Sequence, residues 1–181
     1  MSISGLFRLW LAYGPRPTGI GRGRLLEVLR PQPGEQLLEL GPGAGYYSLP
    51  VAQSLQPNGH LALVDVDQRM LDATTRRLRA RGLGSLIEAR RSDGASLPFG
   101  DATFDGAFLV AVLGEIKDRS GALRELHRAL RSGGRLVVGE TRLLDPHALS
   151  PDQLRQEAEA AGFQLDHQIG SRSYLSRFRP V

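Results

Sequence analysis

Residues Leu37-Leu38-Glu39-Leu40-Gly41-Pro42-Gly43-Ala44-Gly45-Tyr46 constrain this chain more than any other stretch. An apolar run ends in an acid and is followed by three glycines at alternate positions. The pattern describes a buried strand entering a tight turn in front of a helix. Glycine lets the backbone bend sharply there and lets a ligand rest on bare main chain. The first amides of the next helix then face that ligand.

The same spacing, Glu39-x-Gly41-x-Gly43-x-Gly45, resembles the first motif of class I S-adenosylmethionine-dependent methyltransferases, of the small UbiE-like kind. A dinucleotide-binding dehydrogenase fits less well. Its fingerprint asks for glycine or alanine where Tyr46 stands, and for no acid before the first glycine. A glycine-rich turn on its own also occurs without any ligand, so the remaining motifs carry the weight.

Strand and helix signals alternate from there on. The expected strands are Gln36 to Leu40, His60 to Val64 with Asp65 at its end, about Leu86 to Arg90, Phe104 to Val110, and one after Gly133-Gly134. The expected helices run from Arg22 to Leu29, Tyr46 to Leu55, Gln68 to Ala80 and Asp118 to Leu130. Leu123, Leu126 and Leu130 share a face of the last of these. Ser150-Pro151-Asp152-Gln153 reads as a capping box with proline at the first helical position. Two strands, Gln164 to Gly170 and Ser173 to Arg179, close the chain as a hairpin. Such alternation implies a parallel sheet covered on both faces. The resemblance sharpens this to a Rossmann-like, seven-stranded, mostly parallel α/β sheet with a C-terminal antiparallel hairpin, covering roughly Leu25 to Arg179. At 181 residues the chain has room for one domain, 1–181, with 1–30 as an N-terminal helical segment.

The resemblance also assigns cofactor-binding residues. S-adenosylmethionine would rest on Gly41, Gly43 and Gly45, with Glu39 beneath the turn. Asp65, at the end of its strand, would accept the ribose hydroxyls; Asp67 rivals it but reads as a helix cap. Val66 would touch adenine. Asp93, beside Gly94, would meet the adenine amino group, although an ordinary turn aspartate has the same signature. Val110 ends the strand that faces the transferred methyl. Beyond it, DNA-base amino-methylating enzymes usually carry an acid or asparagine before two prolines. Ala111-Val112-Leu113-Gly114-Glu115 has nothing of the kind, which argues against nucleic acid as substrate.

Substrate-side candidates are Trp10 and Tyr13 in the N-terminal apolar face, Glu115 after the fourth strand, and His147 in the loop after the fifth. Each also has a plain structural reading: packing on the sheet, a helix-start charge, or a loop histidine. No catalytic base stands out. There are no cysteines, which excludes thiolate nucleophiles, disulfides and cysteine-ligated metal. The four histidines show no metal-ligand spacing, so no metal is expected. The net charge of +4 permits an anionic partner, yet no dense basic run appears.

No apolar run reaches membrane-spanning length and no secretory pattern opens the chain, so a cytoplasmic location is expected. The function implied is methyl transfer to a small-molecule or lipid-like acceptor by direct displacement. Two alternatives stand beside it. One is a module that binds S-adenosylmethionine without turnover. The other is a peripheral-membrane enzyme using the apolar residues before Gly14 to touch lipid.

Overall fold

The computed structural model describes residues 19–142 and 145–181. Seven strands form one sheet in the order β3-β2-β1-β4-β5-β7-β6. They are β1 (Gln36–Leu40), β2 (His60–Asp65), β3 (Ile87–Arg91), β4 (Phe104–Val110), β5 (Leu130–Thr141), β6 (Phe163–Gly170) and β7 (Ser173–Pro180). β1 to β5 pair in parallel, whereas β7 is antiparallel to both β5 and β6. The expected Rossmann-like architecture is therefore present, hairpin included. The chain order reverses direction between β1 and β4. In open sheets of this type ligands bind beyond the strands' carboxyl ends at that reversal.

Strand alternation divides the core in two. Leu37, Leu61, Leu63, Phe108 and Val137 point to one face and pack under α1 (Arg22–Leu29), α2 (Ser48–Ser54) and α3 (Gln68–Arg79). Leu38, Leu40, Val64, Leu136 and Val138 point to the other, under α4 (Arg119–Ala129) and α5 (Pro151–Ala160). Both faces are dry, so the parallel strands read as near-continuous apolar runs.

Local sequence sets the helix starts. Asp67 caps α3 by accepting from the Arg69 amide at 2.9 Å. Asp118 caps α4 through the Gly121 amide at 2.8 Å. Ser150 and Gln153 complete a reciprocal capping box at α5. Asp105, expected to be structural at the entrance of β4, accepts from the Gln36 amide at 2.8 Å and pairs with Arg131.

Several boundaries differ from expectation by a residue or so, and three of the differences trace to long-range pairing or turn geometry. α2 begins at Ser48 rather than Tyr46, because the glycine turn continues through Tyr47. β3 begins one residue late, after a single 3-10 turn at Gly84–Leu86. β5 begins at Leu130, which therefore leaves the helix: Leu130 pairs with Phe104, and the ladder shifts before resuming at Gly106 and Arg135. Gly133, at φ +80°, lies in the intervening stretch.

Two arginines fasten α1 to the sheet. The Arg135 fork grips Glu35 at 2.6 and 2.9 Å, and the guanidinium also donates to the carbonyls of Leu29 and Arg30. Arg177 donates to Asp166 at 2.6 Å and to the Val28 carbonyl at 3.1 Å. The helix end's spare carbonyls are thus met by cations, as its dipole favours.

Candidate active site

The turn after β1 is built almost wholly of main chain. Gly41, Gly43 and Gly45 have φ of +72°, +55° and +77°. The left-handed region costs other residues about 1–2 kcal/mol each, so the alternate glycines are the residues this path requires. The Gly41 amide donates to the Val64 carbonyl of β2 at 2.7 Å, tying the turn to the neighbouring strand end. From α3, the Thr74 hydroxyl donates to the Gly43 carbonyl at 2.6 Å and Arg77 to the Ala44 carbonyl at 3.1 Å. The Gly43 and Ala44 carbonyls are thereby held by α3. Glu39 lies behind it at 2% exposure.

The next strand ends supply the other candidates. Asp65 closes β2 at 9% exposure and accepts from the Asp67 amide at 2.9 Å. Its own carbonyl accepts from the Ser92 amide at 3.2 Å, which links β2 to the turn after β3. Val66 is 50% exposed; among the described residues it and Val181 are the exposed large apolar side chains. Asp93 is exposed and accepts from the Ala95 amide at 3.1 Å. Gly94, at φ +87°, passes so close to Leu40 that a Cβ would sit 3.1 Å from its Cδ2. Val110, buried, ends β4. Glu39, the three glycines, Asp65, Val66, Asp93, Gly94 and Val110 therefore share one rim, at the carboxyl ends of four adjacent strands. Asp67 is the helix cap, as expected.

The post-β4 loop folds over this rim. Ala111 takes φ +56° and donates its amide to the Gly139 carbonyl at 2.8 Å. Val112 then lies directly on Gly41, where a Cβ would come within 2.4 Å of Val112 Cγ2. Leu113–Glu115 forms one 3-10 turn. Gly114 passes beneath the loop after β5, with room for no side chain: a Cβ would stand 2.2 Å from the His147 carbonyl oxygen. Glu115 and His147 are both exposed on this side. The His147 amide donates to Asp145 at 2.8 Å.

The segment entering α1 is fastened to the same rim. Arg22 stacks over the Tyr46 ring at 4.2 Å and donates to the Tyr46 carbonyl at 3.0 Å. The Tyr47 hydroxyl donates to the Ile20 carbonyl at 2.9 Å. Ile20 packs above Gly139, next to Val110. Trp10 and Tyr13 lie outside the described residues.

Sequence reasoning missed Glu140. It is the penultimate residue of β5 and has no exposed surface. Neither carboxyl oxygen has a hydrogen-bond partner. Burial, with Asp145 and Glu115 adding repulsion, pushes its pKa up to about 8, against weaker help from the Gly114 and Leu113 amides. The signal was present in Leu136-x-Val138-x-Glu140, where period-2 alternation puts an acid on the same core face as two buried aliphatics.

The rim fits an adenosyl sulfonium ligand. It offers bare backbone, a rim carboxylate for a diol, an exposed apolar side chain beside that carboxylate, and an apolar wall at Val110 to Val112. Among the described residues no His, Asp and Glu cluster has metal-holding geometry, and no helix is long and apolar enough to cross a membrane.

Residues 38–138 match the model of a family described as a methyltransferase domain. A ubiquinone/menaquinone biosynthesis C-methyltransferase, UbiE, from Hahella chejuensis is 30% identical over 136 residues, covering 75% of this chain and 50% of that protein. The chain spans about half the length of the curated relatives it matches. A SAM-dependent methyltransferase structure from Aquifex aeolicus superposes with a TM-score of 0.87 over 99% of this chain and 100% of its own, at 18% identity. The [4+2]-cyclase SpnF superposes at 0.73 over 82% of this chain and 57% of its own, at 26% identity.

Proposed function

The chain belongs to the class I S-adenosylmethionine-dependent methyltransferases, and from that premise we propose that it methylates a small or lipid-like hydroxylated aromatic acceptor, such as a quinol ring. Two things support this acceptor class: the quinone chemistry in the relatives' name, and an acceptor side walled by apolar residues with a carboxyl buried beside them. When bound, S-adenosylmethionine supplies an electrophilic methyl on a positively charged sulfur.

The observation that carries the cofactor reading is the meeting of four separate chain segments on one rim, with exposed Val66 next to nearly buried Asp65. In this reading Gly41, Gly43 and Gly45 leave the backbone open to the ligand and Glu39 supports the turn. Asp65 accepts the ribose hydroxyls, Val66 lies against adenine, and Asp93 with Gly94 receives the adenine amino group. Val110, Ala111 and Val112 exclude water from the methyl end. A dry wall favours attack by a neutral nucleophile, because the reaction disperses the sulfonium charge. Holding nucleophile and methyl in line contributes up to about 7–11 kcal/mol. In the same reading the chain 1–181 acts as one domain with 1–30 as its substrate segment; of that segment, residues 19–30 are fastened to the rim through Arg22 and the Ile20 carbonyl.

Isothermal calorimetry with S-adenosylmethionine and its demethylated product tests the cofactor site. Mass spectrometry of reduced hydroquinones incubated with protein and cofactor tests the transfer. No binding at millimolar cofactor overturns the reading. Binding without product on any acceptor favours a non-methylating use of the fold, the alternative suggested by the cyclase SpnF. Co-sedimentation with liposomes, lost on deleting the residues before Gly14, tests a membrane-surface role for that segment.

A further inference from the structure

Glu140 is buried in a ring of groups that each have something else to do. The Tyr174 hydroxyl, opposite it on β7, donates to the Leu149 carbonyl at 2.9 Å. The Arg119 guanidinium, at the start of α4, is gripped by Glu157 at 2.8, 2.9 and 3.2 Å. Asp145 Oδ1 accepts from the His147 amide, and Asp145 and Glu115 repel a charged Glu140. The Leu113 and Gly114 amides face the carboxyl without closing hydrogen bonds. Folding rarely leaves such a group unmet, and one that persists calls for an explanation.

The location supplies the explanation. Glu140 ends β5 on the acceptor side, and the cover over it includes the one-turn helix Leu113–Glu115, adjoining the Val110–Val112 wall. A hydroxylated aromatic ring becomes a far stronger nucleophile at carbon as its O–H proton leaves, so a proton acceptor there accelerates C-methylation. An ordinary carboxylate is too weak a base for a phenol. One whose charged form is disfavoured by its surroundings is better matched.

We propose that Glu140 is the general base for a phenolic acceptor, exposed when the acceptor displaces the Leu113–Glu115 turn. This rests on the acceptor class proposed above. As the ring carbon bonds to the methyl, the C–S pair stays on sulfur and the O–H proton passes to the Glu140 carboxylate. The methylated dienone then loses its ring proton to solvent and recovers its O–H from Glu140. The carboxylate is restored, and one proton is released per turnover.

The test compares wild type, Glu140→Gln and Glu140→Asp with a reduced hydroquinone under anaerobic conditions, from pH 6 to 9. In wild type, kcat/KM is expected to rise with pH as one group ionises near 8. Glu140→Gln is expected to lose that limb and about 10²–10⁴-fold in kcat, with calorimetric affinity for S-adenosylmethionine within threefold of wild type. Glu140→Asp is expected to regain part of the rate and the limb. A Gln variant keeping the rate and the limb overturns the proposal. So does one whose cofactor affinity falls in step with its rate, since that marks a structural role. No methylation of hydroquinone by wild type that binds cofactor overturns the acceptor reading instead. In that case Glu140 is still tested by the infrared carboxyl band: its expected conversion near pH 8, absent in Glu140→Gln, must be perturbed by bound hydroquinone, and an unperturbed band refutes contact.

Discussion

Replacing Glu140 by glutamine should make the fold's stability less sensitive to alkali. The folded carboxyl has its pKa raised from 4.5 to about 8. A raised carboxyl favours its neutral form in the fold, so the charging penalty is absent below pH 4.5. It grows as pH rises, because the unfolded chain ionises freely while the folded one resists, and it is complete above about 8. The gap of 3.5 pH between 4.5 and 8 converts at 1.36 kcal/mol per pH to about 5 kcal/mol. Glutamine has the same shape and no charge, so it escapes the penalty. Its amide also lacks partners, but that cost does not vary with pH. Urea unfolding of both proteins from pH 5 to 9 separates the two contributions. The stability of Glu140→Gln minus wild type should climb by about 3–5 kcal/mol across that range. A difference that stays flat within about 1 kcal/mol would mean that Glu140 ionises without penalty, and the burial argument would fail.

Other outcomes follow from the rim and its supports. Gly41→Ala should cost about 1–2 kcal/mol in backbone strain alone and force Val112 aside, since the added Cβ would stand 2.4 Å from its Cγ2; thermal unfolding should show the loss, and adding Val112→Ala should recover the steric part only. Asp65→Ala should keep the fold at a cost of about 1–3 kcal/mol, since the Asp67 amide loses its acceptor, and weaken S-adenosylmethionine about tenfold to a hundredfold, the loss of charge-assisted hydrogen bonds to a diol; unchanged affinity by calorimetry removes Asp65 as ribose ligand. Arg135→Ala should destabilise the protein by about 3 kcal/mol, since Glu35 and two helix-end carbonyls lose their partner; hydrogen exchange should accelerate first in α1.

The sequence made the sheet and its rim legible for local reasons, and hid the acceptor side for non-local ones. β1 and β2 stand out because an apolar run meets glycine or a strand-end acid, and α5 because its cap is written in four consecutive residues. The start of β5 is not local: Leu130 leaves its helix to pair with Phe104, and only the partner strand's position, with the shift before Arg135, reveals it. The onset of α2 depends on a turn that three left-handed glycines prolong past Tyr46. Glu140 is the instructive case. Counted by residue type it is a strand-end acid like Asp65, which sits on the rim. Counted by pleat it follows Leu136 and Val138 inward. Register against Tyr174 and the fold of the post-β4 turn then place it among Asp145, Glu115 and Arg119. Two acids at the ends of parallel strands thus part ways: Asp65 stays on the rim, held by the Asp67 amide. Glu140 is turned into the core, where the same group becomes a reluctant acid.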